Sequence, residues 1–450
     1  MTGIEEICQT VISRIKPTDE ERSKLVDLAE RIIRKIDSLG SDRGLDIKGI
    51  LVGSSARGTW ISGQHDLDIF IMFLPHMDRE HLEEKGLEIA KAVSLDAESF
   101  EERYAEHPYI HAVFEGYEVD LVPAFSVASA SQIKSAVDRT PFHNSYVTFR
   151  IKGIEDEILL LKQFMKGIGV YGSELKTHGF SGYLVELLVI HYGSFVKTLV
   201  AACSWKKGEV IDIEVHGTVV HDDPMTMIDP TDPARNVAAA LSIDNMCVFI
   251  DRACGFMENP SESYFIPAVP DVLDDSDFKT IINERGTSLV GIVFNTPDVV
   301  EDVLYPQMHK LEDSVCSMLE RYDFRVYNSG VWAGDKAVVL LELESSRLPA
   351  VRKHDGPFVS NTSHAKKFKS KYDESDTFSN VYIKNGKYMV EIPRKYADAK
   401  KLIESELTNC SLGKHVGVSI GQEYSVLENT DMLGLTDDDY RRFLRRFFEK

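Results

Sequence analysis

The sequence predicts an α+β protein of several domains. Three observations carry that reading. An acidic segment runs into the uninterrupted apolar stretch IFIMFL (Ile69–Leu74), which has the form of a buried strand. The region from Glu155 to Val200 then turns to helical spacing, and beyond Asn259–Pro270, where Pro, Ser and Asp cluster, strand and helix patterns alternate again.

Thr18 with Glu21 three residues on forms a capping box, so the first helix is expected to start there. Leu25, Leu28, Ile32 and Ile36 give it an apolar stripe, and Gly40 ends it. Ile47–Val52 reads as a short strand leading into a Gly53-Ser54 turn. After the apolar strand come an acidic helix over Arg79–Val93 and a hairpin, with arms Tyr109–Phe114 and Tyr117–Val122 joined by Glu115-Gly116. Ile158, Leu161, Phe164 and Met165 line one helix face, while Lys162 and Lys166 lie a turn apart. A further helix follows Ser181. His216–Pro233 reads as a loop and Ala234–Phe256 as a helix. In the last third, strand Ser288–Phe294, helix Val299–Tyr322, strands Phe324–Tyr327 and Ala337–Leu343, a basic loop-rich insert, strand Tyr388–Ile392 and helix Tyr396–Leu407 suggest a split βαβ, ferredoxin-like module. A closing helix after Thr436 carries Tyr440, Phe443, Leu444 and Phe447 on its apolar side.

At 450 residues the chain exceeds one compact domain, and about three are expected. Six cysteines are scattered without a CxxC pair, which argues against a zinc site or a disulfide scaffold and for a reducing cytoplasm. MTGIEEICQT lacks the basic and apolar regions of a signal peptide. Tyr183–Cys203 is interrupted by Glu186, His191 and Lys197, which suits a buried helix better than a membrane span. A net charge of −21 disfavours nucleic acid on the whole-chain average, yet phosphate contact is decided by local patches. Two exist: Lys366, Lys367, Lys369 and Lys371 around Phe368, and Arg441, Arg442, Arg445 and Arg446. Each taken alone reads first as a solvated helix face.

The chemistry concentrates in GSSARGTWISGQHDLD (Gly53–Asp68). Residues i and i+2 of a strand share a face, so Asp66 and Asp68 point the same way as the apolar strand begins. Asp120 is a third carboxylate in a strand context, among Val119, Leu121 and Val122. A polar turn and a solvated strand edge would also account for these acids singly. Together, mutually repelling carboxylates are reconciled by a divalent cation, and hard oxygen ligands suit magnesium. The set fits two-metal phosphoryl transfer. The Gly53-Ser54 turn, followed by a helix, can offer N–H groups and a hydroxyl to phosphate, with Arg57 adding charge; a plain helix cap is the alternative for Ser54. Thr140, His143, Lys162 and Tyr171 fall where a second domain would close over a nucleotide, though singly each is more often structural. Gly167–Gly172 matches GxGxxG, but a helix precedes it where a dinucleotide site needs a strand. There is no GxxxxGK[ST] loop.

These motifs resemble the nucleotidyltransferase superfamily that includes DNA polymerase beta and poly(A) polymerases. GSSARGTW, DLDIFI, EVDLVPAF (Glu118–Phe125), TPFH (Thr140–His143), LLKQFMKGIGVYGSE (Leu160–Glu174), GFSGYLVELL (Gly179–Leu188), DPTDPARNVAAA (Asp229–Ala240) and GTSLVGIVF (Gly286–Phe294) are more specifically similar to archaeal (class I) CCA-adding enzymes, over nearly the whole chain. The resemblance implies a polymerase-beta-like catalytic head (residues 1–150), a helical neck (151–265) and a tRNA-binding body and tail (266–450). It implies metal binding by Asp66, Asp68 and Asp120 with Mg2+ as cofactor. Nucleotide binding would fall to Gly53, Ser54, Arg57, Lys162, His143 and Tyr171 at the triphosphate, Thr140 near the ribose and Arg235 at the base edge. The implied partners are ATP, CTP and the acceptor stem and elbow of tRNA in the cytoplasm, with no membrane and with a homodimer left open. The implied reaction is template-independent addition of C, C and A to the tRNA 3′ end. An RNA adenylyltransferase of the poly(A) polymerase kind and a catalytically silent RNA-binding relative are the alternatives.

Overall fold

The computed structural model describes residues 2–64, 66–104, 107–217, 222–373 and 375–449. The chain divides into two compact units, Met1–Ala268 and Val269–Lys450. The first opens with helix α1 (Thr2–Ile15), not among the elements expected above although Ile4, Ile7, Val11 and Ile15 recur at helical spacing, and then α2 (Asp19–Asp42). The capping box expected at Thr18 is present in both directions, from Glu21 N to Thr18 Oγ1 and from Thr18 N to the Glu21 carboxylate. Strand β1 (Ile47–Val52), a single helical turn α3 (Gly53–Arg57), β2 (Asp66–Phe73), α4 (Arg79–Ser94), β3 (Ser99–Tyr104), β4 (Pro108–Phe114) and β5 (Tyr117–Phe125) follow.

These strands form one sheet in the order β1-β2-β5-β4-β3. Its pairings are antiparallel except at the centre, where β2 and β5 run parallel. Strand alternation gives the sheet two different faces. Leu67, Ile69, Ile71 and Phe73 of β2, with Val119, Leu121 and Phe125 of β5, pack into a core shared with Leu25, Leu28 and Ile32 of α2 and Leu82, Ile89 and Val93 of α4. The residues between them, Asp66, Asp68, Phe70 and Met72, turn to the other face. There Phe70 and Met72 meet Val52 and Ala124 in a small apolar cluster.

The remainder of this unit comprises α5 (Thr140–Arg150), α6 (Glu155–Gly167), α7 (Gly182–Tyr192), α8 (Phe195–Ala202), β6 (Glu209–Ile211), β7 (Met225–Asp229), β8 (Asp232–Asn236) and α9 (Ile243–Glu258). Its core joins α1 to α5–α9, and Phe164 sits at the centre, with ring centroids 5.6 Å from those of Phe195, Phe256 and Phe265. Two expectations need correcting here. The stretch His216–Pro233 is not simply a loop: it contains β7 and the start of β8, whose Asp and Pro content hid a tight antiparallel pair. Residues 218–221 of that stretch lie outside the described residues. Helix α9 accordingly starts only at Ile243, after the Ser242 cap. The apolar stretch after Ser181 is two helices bent by 93°, because Gly193 takes a left-handed φ of 88° and Ser194 caps the next helix. Among the described residues no single helix is long and apolar enough to cross a membrane.

The second unit consists of α10 (Asp275–Arg285), β9 (Ser288–Asn295), α11 (Glu301–Arg321), β10 (Val326–Ala333), β11 (Lys336–Leu343), β12 (Val351–Phe358), α12 (Thr362–Asp373), β13 (Tyr382–Lys384), β14 (Lys387–Pro393), α13 (Ala399–Glu406), α14 (Lys414–Gln422), β15 (Tyr424–Glu428) and α15 (Asp438–Phe448). An antiparallel sheet runs β10-β11-β9-β15. Residues of α11, α13 and α14 cover one of its faces and those of α10 and α15 the other. Strand β14, expected beside β9–β11, pairs instead with β12 and β13 in a separate sheet. The charged, Gly-Pro-containing VRKHDGPF of β12 disguised that partner as a loop. The arginines of α15 serve this unit itself: Arg441 is buried on Asp275 (3.0 Å) and two carbonyls, and Arg445 meets Asp277 and Glu449.

Phe164→Ala is expected to cost about 3–5 kcal/mol, because a fully buried ring with aromatic neighbours leaves a cavity they cannot fill. Urea unfolding followed by circular dichroism checks it.

Candidate active site

The parallel register of β2 and β5 sets Asp68 directly opposite Asp120 and Asp66 opposite Glu118. All four carboxylates therefore belong to the sheet face away from α2 and α4. Burial raises the Asp68 carboxyl, and the charges of Asp120 and Asp66 add to this, against the pull of Arg57; it is pushed up to about 6. Asp120 is steadied from the next strand, where its register partner His111 places Nδ1 2.8 Å from Oδ1. Ser55, buried in α3, donates to the Asp66 carbonyl and ties the turn to the start of β2.

Gly53 explains why the turn begins with glycine. Its φ of 74° is left-handed, and a Cβ there would fall on Asp68 Oδ2. Ser54 follows in α3, whose first N–H groups receive no side-chain cap. Gly53, Ser54, Asp66, Asp68 and Asp120 thus share one corner of the sheet. The donor set, carboxylate oxygens crowded by like charge on one face, fits a hard divalent cation. Among the described residues no three His, Cys, Asp or Glu side chains are already gathered around one ion-sized point. Register aligns these acids on one face.

Arg57 and Lys162 meet on a residue that the sequence reading did not single out as functional, Glu186 of α7. Arg57 Nη2 lies 2.9 Å from Glu186 Oε2, and Lys162 Nζ 3.7 Å from Oε1, which also accepts from Thr59 Oγ1 at 2.6 Å. Lys162 donates to the Thr59 carbonyl at 2.9 Å. Burial lowers Lys162 to about 8, with Glu186 opposing the fall. Tyr171 is close by, since a Cβ on Gly182 would stand 3.0 Å from its hydroxyl; burial pushes that phenol up. Lys166, also not singled out, stands over the Tyr171 ring at 5.1 Å, where burial lowers it and Asp66 opposes.

Thr140 opens α5, and three residues on His143 Nε2 lies 2.8 Å from Asp229 Oδ2. Arg235 Nη1 reaches the same oxygen at 2.9 Å. His143 also stacks on Tyr183, with centroids 4.1 Å apart. Burial would raise the Asp229 carboxyl, but the His143 hydrogen bond and charge and the Thr231 donors hold it far below the usual carboxylate range. Arg57 Nη1 donates to Asn144 Oδ1 at 3.0 Å, which links α5 to the Glu186 group. The expected residues thus fall into three linked clusters, and Glu186, Asp229 and His111 organise them. An acid inside the apolar helix LVELLVI was the one available signal for Glu186.

Residues 29–143 match the family described as nucleotidyltransferase domain, residues 156–266 the second domain of tRNA nucleotidyltransferase, and residues 285–429 the C-terminal domain of CCA-adding enzyme. The chain is 52% identical over 451 residues to a CCA-adding enzyme of Methanosarcina barkeri, covering 99% of each. It is 50% identical to one of Methanosarcina acetivorans, covering 98% of each, and 42% identical to one of Halobacterium salinarum, covering 92% of each.

Glu186→Ala leaves two buried cations without their counter-charge and is expected to cost about 3–5 kcal/mol, with Glu186→Gln less damaging. Paired denaturation curves check this. Gly53→Ala is expected to lose about 1–3 kcal/mol from its left-handed backbone alone, read as a lowered Tm.

Proposed function

The chain belongs to the family of CCA-adding enzymes, and we propose that Asp66, Asp68 and Asp120 form the centre with which it adds C, C and A to the 3′ end of tRNA. The observation that supports this centre best is the parallel pairing of β2 and β5, which sets Asp68 opposite Asp120 above the Gly53 turn. The terminal hydroxyl of the RNA attacks the α-phosphorus of CTP or ATP in line, and pyrophosphate leaves. The three carboxylates would hold divalent cations, Mg2+ by their preference for hard oxygen, which when bound neutralise the triphosphate and favour ionisation of the attacking hydroxyl.

The chain's own residues bind and orient. Arg57 and Lys162 carry two positive charges against the single Glu186 carboxylate, and that surplus suits a triphosphate. Ser54 and the uncapped N–H groups of α3 face phosphate oxygens, and His143 and Tyr171 complete that wall. His111, on the strand beyond Asp120 from Asp68, anchors one oxygen of the Asp120 carboxylate and limits how far it swings. Thr140 serves the ribose, and Arg235, with its fixed fork of donors, reads the base edge. Catalysis here is largely positioning and charge stabilisation. Residues 1–150 act as catalytic head, 151–265 as neck and 266–450 as the tRNA-holding body and tail, which grip the acceptor stem by shape and backbone.

Asp120→Ala should abolish incorporation of labelled CTP into tRNA lacking its CCA end while leaving tRNA binding nearly intact by filter retention. A mutant that incorporates CTP at the wild-type rate would sink the assignment.

A further inference from the structure

The Asp229 carboxylate belongs to neither the acidic corner nor the Glu186 group. It is wholly buried at the end of β7, yet it accepts from donors on four sides. Oδ2 takes His143 Nε2 at 2.8 Å and Arg235 Nη1 at 2.9 Å. Oδ1 takes the Thr231 N–H and hydroxyl, both at 2.9 Å, and the Tyr183 hydroxyl at 3.3 Å. Thr231 lies in the turn between β7 and β8, so the carboxylate also fixes the hairpin from which Arg235 projects. The Arg235 side chain remains 37% exposed, so one edge of its guanidinium is pinned while the rest faces outward.

From this arrangement we infer that Asp229 is a positioning residue for nucleotide choice, holding Arg235 at a fixed angle to the base and joining it through one oxygen to His143. The inference rests on the reading of Arg235 as base-reading and His143 as phosphate-facing. A guanidinium discriminates acceptor patterns only while its plane is held, because a swivelling fork can satisfy several bases. A charged hydrogen bond to a buried carboxylate supplies that restraint. The Asp229 link also couples base to phosphate: a nucleotide that displaces His143 disturbs the oxygen on which Arg235 leans. Loss of the carboxylate charge should therefore relax selection between bases as well as weaken binding of them all.

The experiment measures kcat/KM for CTP and for UTP separately, using tRNA lacking its CCA end and magnesium. Asp229→Asn is expected to lower the CTP-over-UTP ratio by about tenfold, the size of one charged hydrogen bond. Arg235→Ala is expected to lower the same ratio. Thr231→Ala, which removes one neutral donor and keeps the charge, should move it the same way by about two- to threefold. It decides the matter if Asp229→Asn does not fold. A merely structural role would depress all nucleotides alike and leave the ratio unchanged. If Arg235→Ala relaxes selection while the foldable Asp229 and Thr231 variants keep the wild-type ratio, the role of Asp229 is overturned. If Arg235→Ala itself keeps the wild-type ratio, the base-reading assignment has failed instead.

Discussion

The parallel pairing of β2 with β5 forces Asp68 and Asp120 side by side, and the apolar half of the same strands keeps them there. A slip of one residue in β2 would carry Asp66 and Asp68 under α2 and α4 and expose Leu67, Ile69, Ile71 and Phe73. Burying each of those side chains contributes roughly 1.5–3 kcal/mol. Four of them outweigh the crowding of two half-buried carboxylates. Hydrophobic burial on one face thus maintains an electrostatically unfavourable arrangement on the other, and the unfavourable arrangement is what a triphosphate with its cations would relieve. The Gly53 turn depends on this as well, since its missing side chain is the space that Asp68 occupies.

A chain with a net charge of −21 that handles two polyanions must keep its useful cations local. Buried carboxylates do this. Glu186 holds Arg57 and Lys162, and Asp229 holds His143 and Arg235. In both clusters one acid organises two basic groups and holds them oriented. By contrast the arginines of α15, which as a sequence run look like a phosphate-binding patch, are largely spent on aspartates and carbonyls of their own unit.

The sequence disclosed most where one physical signal dominated. The capping box at Thr18, the apolar run into β2 and the β4–β5 hairpin appear close to where spacing placed them, because cap chemistry and strand alternation are local. What stayed hidden depends on partners far along the chain. Helix α1 packs its stripe of Ile4, Ile7, Val11 and Ile15 into the core it joins. Strands β7 and β12 are built of residues that read as loop until their neighbours are known. Asp66 and Asp68 could be paired in advance by strand parity, whereas the place of Asp120 beside them follows from the β2–β5 register. Glu186 and Asp229 gain their meaning only when α7 and β7 bring them to cations contributed by other elements. The same holds for His111, an ordinary hairpin residue until its register with Asp120 is seen.

Strand β3 lies at the outer margin of the head's sheet and exposes nearly all of SFEERY to solvent. Its backbone could zip onto another strand, but the solvated charges of Glu101, Glu102 and Arg103 along that edge oppose the desolvation such pairing requires. A sheet whose interior rows are so uniformly apolar would otherwise be prone to growing sideways during synthesis. The head therefore carries its own terminator, a charged last strand on which the sheet stops.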